Sequence, residues 1–456
     1  MAKETVAFVS LGCAKNLVNT EQMMALTADA GYQVTGDPGN ADVAVVNTCG
    51  FIDSAKSEAI DVILNLAQQK GTGRLKKILV AGCMVQRHGV EVQTALPEVD
   101  GLLGCGSYEE ITRAIEGALQ GENPHLFGSI NAPLQENRRI LTTPSWIAYL
   151  RIAEGCDNHC AYCVIPSLRG KYRSREIEAV LQEARWLAQM GVKELLVIAQ
   201  DITRYGTDRY GKRQLAVLLQ ELCKIEGLHW IRLHYLYPDE IDDELISVIA
   251  QEKKIVKYLD IPLQHIDDGI LRAMNRRGTG AEIRTLLHKL RERIPGLVLR
   301  TSLICGLPGE GEAEFESLCR FLEEERIERA GVFAFSPQEG TKAAEMANIP
   351  DEVTVNARMN RLLEIQTDCL DQHNAEQIGR VIEVLIEGKD EQGRLYGRTW
   401  ADSPEIDGRL ILQSGEEQEQ LEEISFGSFV WVHVTGSEDG DLLGVLAEKE
   451  RRESTV

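Results

Sequence analysis

The strongest constraint on how this chain can fold is a repeating alternation of short apolar runs with longer amphipathic stretches. TVAFVSLG (Thr5 to Gly12), DVAVVNT (Asp42 to Thr48) and KILVAG (Lys77 to Gly82) read as strands, with NLVNTEQMMALTADAG and SAKSEAIDVILNLAQQK as the helices between them. Strands separated by helices pair in parallel, because a crossover is what returns the chain to the same end of a sheet. An α/β chain opening with an N-terminal doubly wound parallel sheet is therefore expected.

A polar, proline-containing stretch from about Gly121 to Ser145 suits a boundary, after which the alternation resumes. WIAYLRIAEGC leads in. ELLVIAQ (Glu194 to Gln200), WIRLHYLYP (Trp230 to Pro238), VKYLDIPLQ (Val256 to Gln264), LVLRTSLICG (Leu297 to Gly306) and AGVFAFS (Ala330 to Ser336) follow. Six strand-then-helix units predict a central partial (βα)6 barrel rather than a closed one of eight. Beyond Ala375 the pattern changes to short strands between Gly-rich turns, predicting a C-terminal small antiparallel β-barrel. The expected domains are 4–120, 142–373 and 375–445, and the closing RRESTV reads as a frayed tail.

Cysteine placement points to chemistry. Cys13, Cys49 and Cys83 each stand immediately after the carboxyl end of a first-region strand, in LGC, NTC and AGC, and those ends line the ligand crevice of an open parallel sheet. One such cysteine is most simply a small apolar residue in a tight turn. Three at equivalent positions point to joint metal ligation. Cys105, in GLLGCGSY, competes for a place but lacks the strand-end pattern. A second trio, Cys156, Cys160 and Cys163, lies in EGCDNHCAYC. Structural zinc usually takes four protein ligands, whereas a cube of four irons held by three thiolates keeps one iron open to a small molecule. A zinc loop completed by His159 or a distant residue is one alternative reading. An electron-transfer centre is another, though it would need a fourth ligand and no fourth cysteine lies nearby.

No apolar run approaches a membrane span, and MAKETVAFVS lacks the features of a signal peptide, which predicts a cytoplasmic chain with no membrane partner. Reducing thiols make disulfides rare there, so the eleven cysteines are read as ligands or packing residues. A net charge of −22 argues against a broad nucleic-acid-binding surface. Residues 376–445 alone carry 16 acids against 5 Lys and Arg. Such a surface attracts a basic partner.

C-x3-C-x2-C with Tyr162 before the last cysteine resembles the signature of the radical S-adenosylmethionine superfamily. With both trios and the small β-domain, essentially the whole chain resembles the methylthiotransferase subgroup of that superfamily. SLGCAKNLVNTE, NTCGFIDSA, YLRIAEGCDNHCAYCVIPSLRG, IAQDITRYG, RLHYLYP, YLDIPLQH and PEIDG are similar to the RimO type, which modifies a ribosomal protein, rather than the tRNA-modifying MiaB type. Ala14 stands where proline is usual and Asn19-Thr20 where Asp-Ser is common. The resemblance implies two [4Fe-4S] clusters, one on Cys13, Cys49 and Cys83 that carries the sulfur to be inserted, the other on Cys156, Cys160 and Cys163.

It further implies S-adenosyl-L-methionine as cofactor and methylthiolation of an aspartate β-carbon in ribosomal protein S-twelve. By the same resemblance 4–120 is the methylthiotransferase domain, 142–373 the radical SAM core and 375–445 a TRAM-like β-domain. Gln200, Asp201, Gln264 and Arg300 are implied to face S-adenosylmethionine, together with the LICGLPGE turn, where Cys305 and Leu307 replace the usual valine and phenylalanine. An external electron donor, an external sulfur source and a monomeric enzyme complete the expectation. The alternatives are a tRNA methylthiotransferase and, from another class, an iron–sulfur electron carrier. Cys105, Cys223, Cys305, Cys319 and Cys369 are read as packing residues.

Overall fold

Six parallel strands build the first sheet of the computed structural model, which describes residues 3–413 and 421–447. The tail Arg451–Val456 lies outside the described residues. The strands are β1 (Thr5–Ser10), β2 (Gln33–Thr35), β3 (Val43–Thr48), β4 (Lys77–Gly82), β5 (Gly101–Leu103) and β6 (His125–Leu126), in the order β2-β1-β3-β4-β5-β6. Successive side chains of a strand face opposite sides, so each sheet face has its own core. Val6, Phe8, Val43, Val45 and Leu79 pack with α1 (Ala14–Asp29) and the later helix at Ile111–Leu119. Ala44, Val46, Ile78 and Val80 pack with α2 (Asp53–Thr72) and α3 (Cys83–Ala95). The strand order reverses between β1 and β3, which is where a ligand crevice opens in such a sheet.

The central region is a second all-parallel sheet of six strands: β7 (Ile147–Arg151), then, beyond the short hairpin strands β8 (Ala153–Glu154) and β9 (Arg173–Ser174), β10 (Glu194–Ile198), β11 (Trp230–Leu233), β12 (Ile255–Asp260), β13 (Val298–Cys305) and β14 (Arg329–Ala334). Its order β14-β13-β12-β11-β10-β7 leaves a gap between the two edge strands, as expected of a partial barrel. Ala148, Leu150, Leu195, Val197, Ile231, Leu233, Leu259 and Leu299 turn outward into the apolar core shared with the helices. The alternate positions carry polar side chains, Arg151, Glu194, Arg232, Tyr258, Asp260, Arg300 and Arg329, among apolar ones such as Leu196, Trp230 and Val256.

Two central strands end sooner than their apolar runs suggest. Within LHYLYP, Tyr235 takes φ 66°, and within IPLQ, Gln264 takes φ 72°; the left-handed backbone at both residues lies beyond the strand ends at Leu233 and Asp260. The remaining apolar residues lie in buried loops at the carboxyl ends, which sequence periodicity does not separate from strand.

The third region is a closed barrel of β15 (Val381–Lys389), β16 (Leu395–Arg398), β17 (Leu410–Leu412), β18 (Phe429–Glu438) and β19 (Asp441–Leu446), ordered β15-β16-β17-β19-β18. Its neighbours are antiparallel except β17 and β19, which run parallel. Up and down cannot alternate around a ring of five strands, so one parallel pair is unavoidable. The connection after β16 docks into the polar inner face of the central sheet. Arg398 reaches Glu194, Asp402 pairs with Arg329 at 2.7 Å, Ser403 meets His234 at 3.0 Å and Asp407 accepts from Tyr258 at 2.7 Å.

The boundary stretch 121–145 contributes β6 and then little regular structure, yet it is firmly tied. Arg139, 4% exposed, pairs with Glu21 of α1 at 2.9 Å and with Glu183 at 2.8 Å, joining the first region to the second. Among the described residues no helix is long and apolar enough to cross a membrane.

Candidate active site

The first cysteine trio is assembled by neighbouring strands. Cys13 is the N-cap of α1 just beyond β1, Cys49 follows β3, and Cys83 opens α3 directly after β4. Gly82, at φ 98°, makes the β4 turn possible, since a Cβ there would lie 2.6 Å from the Thr48 carbonyl oxygen. Asn16, fully buried, donates to the carbonyls of Leu11 and Thr48, both at 3.0 Å, and so ties the loops after β1 and β3 together. Cys13 is exposed, Cys49 half-buried and Cys83 buried.

The second trio occupies one loop between β8 and the helix Ile165–Arg169, α4. Its sulfurs meet donors from the chain itself. Asn158 N–H points at Cys156 Sγ and Ile165 N–H at Cys163 Sγ, each at 3.4 Å, while the Arg276 guanidinium approaches Cys160 Sγ at 3.9 Å. Such donors favour the thiolate form. In the chain alone, burial dominates: it pushes Cys156 and Cys49 up to about 11 and Cys163 up to about 12. Cys83 moves the other way, to about 6, under a hydrogen bond from Cys105 that outweighs burial, with help from Arg169.

All six sulfur-bearing residues line one cavity of about 340 Å³. The two regions lock together around it through Arg169, the last residue of α4. Its guanidinium donates to Asn19 at 2.8 Å and Glu154 at 3.4 Å, and also to Asn16. Glu154 in turn accepts from Arg151 at 2.8 Å and from Gln200 at 2.7 Å. Burial alone would raise the Glu154 carboxyl; Arg169 and Arg151 overcome it and hold it near 2. Among the described residues, no three His, Cys, Asp or Glu side chains converge on a single-ion site. Thiols spread around a roomy cavity match a polynuclear group better than one zinc ion.

Gln200, Asp201 and Gln264 line this cavity with Ser302. Gln200 Oε1 is buried there without a hydrogen-bond partner. Asp201 is engaged by Asn158 Nδ2 at 2.9 Å and Thr203 N–H at 3.0 Å. Arg300 is not among the lining residues; it pairs with Asp260 at 3.1 Å and lies 3.7 Å from Asp407. The LICGLPGE turn is also placed elsewhere. Gly306 N–H donates to Glu310 at 3.0 Å, and a Cβ on Gly306 would come 2.4 Å from Val355 of the helix Glu352–Gln377, so this glycine serves close packing.

Cys305, Cys319 and Cys369 are buried and Cys223 is half-buried. Cys105 does more than fill space: its Sγ lies 3.9 Å from Cys83 Sγ and 3.6 Å from the Tyr108 hydroxyl. It faces a smaller neighbouring pocket rather than the six-cysteine cavity. Sequence reasoning did not single out Lys15, Asn16, Arg169, Tyr235 or Arg276, all of which line the cavity. Their signal was adjacency: Lys15-Asn16 follow LGC by one residue, and Arg169 closes the helix after the cysteine loop.

Three known families match successive parts of the chain. Residues 5–104 match the uncharacterized protein family UPF0004, 150–322 the radical SAM superfamily and 378–446 the TRAM domain. A protein of Symbiobacterium thermophilum named ribosomal protein uS12 methylthiotransferase RimO is 48% identical over 97% of this chain and 91% of its own length. A protein of the same name from an Anaeromyxobacter species is 47% identical over 99% and 94%. Among solved structures, the radical S-adenosylmethionine methyltransferase TsrM of Kitasatospora setae, with cobalamin and a [4Fe-4S] cluster bound, superposes with a TM-score of 0.57 at 13% identity, covering 74% of this chain and 76% of that one. At that identity the likeness concerns the fold.

Proposed function

This chain belongs to the RimO family of ribosomal protein uS12 methylthiotransferases, and from that premise we propose that it converts a C–H bond at the β-carbon of one uS12 aspartate into C–S–CH3. The observation that carries the reading is the single cavity bordered by both cysteine trios, since the carbon to be activated and the sulfur to be attached must meet in one place. We assign one [4Fe-4S] cluster to Cys13, Cys49 and Cys83 and another to Cys156, Cys160 and Cys163. Three thiolates per cube leave one iron for an exogenous ligand. With S-adenosylmethionine, a cluster of this kind supplies the one-electron cleavage that lets an unactivated C–H bond be broken.

The residues present suit these groups. A volume of about 340 Å³ lies within the ordinary range of small-molecule sites. The unpartnered Gln200 Oε1 needs a donor, which the ammonium or hydroxyls of S-adenosylmethionine provide. Gln264 and Asp201 extend the same polar wall, while Phe51, Tyr162, Ile165, Leu168, Leu236 and Pro262 make the rest apolar and help exclude water. Arg300, in the ion pair with Asp260, positions the polar inner face rather than touching the cavity.

The domains 4–120, 142–373 and 375–445 then divide the work. The first holds the sulfur-bearing cluster, the second generates the radical, and the third, with its 16 acids against 5 Lys and Arg in 376–445, attracts a basic ribosomal protein in the cytoplasm. Both trios come from one chain, which supports a monomeric enzyme served by an external electron donor and sulfur source. Mass spectrometry of uS12 and of digested tRNA, from cells with and without this chain, tests the substrate. Loss of one methylthio group from uS12 with tRNA unchanged is expected. Loss from a tRNA nucleoside alone would overturn the proposal.

A further inference from the structure

Lys15 stands out on the wall of this cavity. It sits in the first turn of α1, where the helix macrodipole disfavours a cation and where no acidic residue compensates. It is 8% exposed, and its ammonium lies 3.6 Å from the centroid of the Tyr235 ring; Glu154 and Cys13 act on it through space, with no carboxylate of the described residues in an ion pair with it. A buried ammonium with no carboxylate in contact keeps donor capacity for an anionic ligand.

The surroundings are built around this side chain. Tyr235 holds the left-handed φ of 66°, an unfavourable conformation for a tyrosine, and in doing so brings its ring beneath the ammonium. The other cations on the cavity wall are engaged. Arg169 donates to Asn16, Asn19 and Glu154; Arg276 donates to the Pro262 carbonyl at 2.5 Å and lies over the Tyr237 ring at 4.2 Å. Lys15 alone among these three lining cations has neither a carboxylate nor a carbonyl partner in the hydrogen bonds and ion pairs of the described residues.

We propose that Lys15 is the specificity-determining residue that binds the side-chain carboxylate of the substrate aspartate in the cavity between the two cysteine trios. The inference rests on the protein-methylthiotransferase reading above. The β-carbon is bonded directly to that carboxylate carbon, so anchoring the carboxylate fixes the C–H to be attacked. Lys15 is two residues from Cys13, which places the anchor beside the trio assigned to the incoming sulfur. A cation also separates aspartate from asparagine, which has nearly the same shape and no charge.

The test uses the cluster-loaded enzyme, intact uS12, and synthetic peptides spanning the modified site with either aspartate or asparagine at the target position. Lys15→Met is expected to lower kcat/KM for uS12 and the affinity for the aspartate peptide by about 10- to 100-fold, the usual range for losing a charge-assisted hydrogen bond. Affinity for the asparagine peptide changes much less, and the iron content stays at the wild-type level. Lys15→Arg retains the preference for aspartate. Equal weakening toward both peptides, or loss of iron, would remove Lys15 from this role and assign it to the clusters or the cofactor. The wild-type arm is read separately: failure to methylthiolate uS12 there overturns the substrate reading, and this inference with it.

Discussion

Cys156, Cys160 and Cys163 are held by one loop whose own backbone donates to two of the sulfurs, whereas Cys13, Cys49 and Cys83 come from three loops that the pairing of β1, β3 and β4 brings together. The first arrangement is local and the second is tertiary. A damaged contact in the first sheet should therefore be felt by one trio and not by the other, although both face the same cavity.

The sharpest way to break this comparison is to remove one thiol from each side. Cys156→Ala is expected to abolish both 5′-deoxyadenosine and methylthio-uS12 under anaerobic reducing conditions; product from this variant would refute the central assignment. Cys13→Ala should keep deoxyadenosine formation and lose the methylthio product. A Cys13 variant that loses both activities would mean that the two sites are not separable.

Next in size is a backbone test that touches no ligand. Gly82→Ala forces a Cβ against the Thr48 carbonyl at a φ of 98°, and should cost roughly 1–3 kcal/mol while depleting iron from the first trio. Iron analysis and electron paramagnetic resonance on this variant should show the central cluster alone. Equal loss of both clusters would show that the first sheet and the central loop form one cooperative unit.

Proton release offers a graded comparison. Cys156 and Cys163, raised by burial to about 11 and about 12, are neutral at pH 7 and must lose protons to bind iron. Each pH unit gained below those values raises the thiolate fraction of each about tenfold. Iron loading of the central trio, with two raised thiols, should thus accelerate between pH 7 and 9 more steeply than that of the first trio, where Cys49 alone is raised, to about 11, and Cys83 is lowered to about 6. A loading rate independent of pH at both would count against thiol deprotonation as the controlling step.

The smallest expected effect concerns the third region. Glu194 would be raised by burial, but Arg398 and Arg232 outweigh this and hold it near 2. A carboxyl depressed in the folded state gives stability that is complete above its ordinary value near 4.5 and is lost as pH falls through about 2. Tryptophan fluorescence from Trp400, whose carbonyl accepts from Arg232, should report loosening of the barrel within that window. Glu194→Gln should move the transition; an unchanged acid profile would show that other contacts hold the barrel.

Much of the architecture was legible because it is written in local repeats. Short apolar runs alternating with helical stretches specified the two parallel sheets, and KILVAG matched β4 at both ends. The limits of that signal are equally physical. WIRLHYLYP continues apolar past the strand end at Leu233, because a buried loop demands the same residues as a buried strand. The stretch read as a boundary loop instead carries Arg139, whose partners Glu21 and Glu183 are distant in sequence.

By itself, then, the sequence determined the elements, their order and the two cysteine trios, since periodicity, turn residues and ligand spacing are properties of neighbours along the chain. Tertiary structure decided what those elements do together. It brought both trios to one cavity, set Arg300 against Asp260 away from the cavity lining, put Cys105 beside Cys83 and laid Lys15 over Tyr235. These relations depend on strand order and on the left-handed turn at Tyr235, and spacing along the chain does not encode either of them.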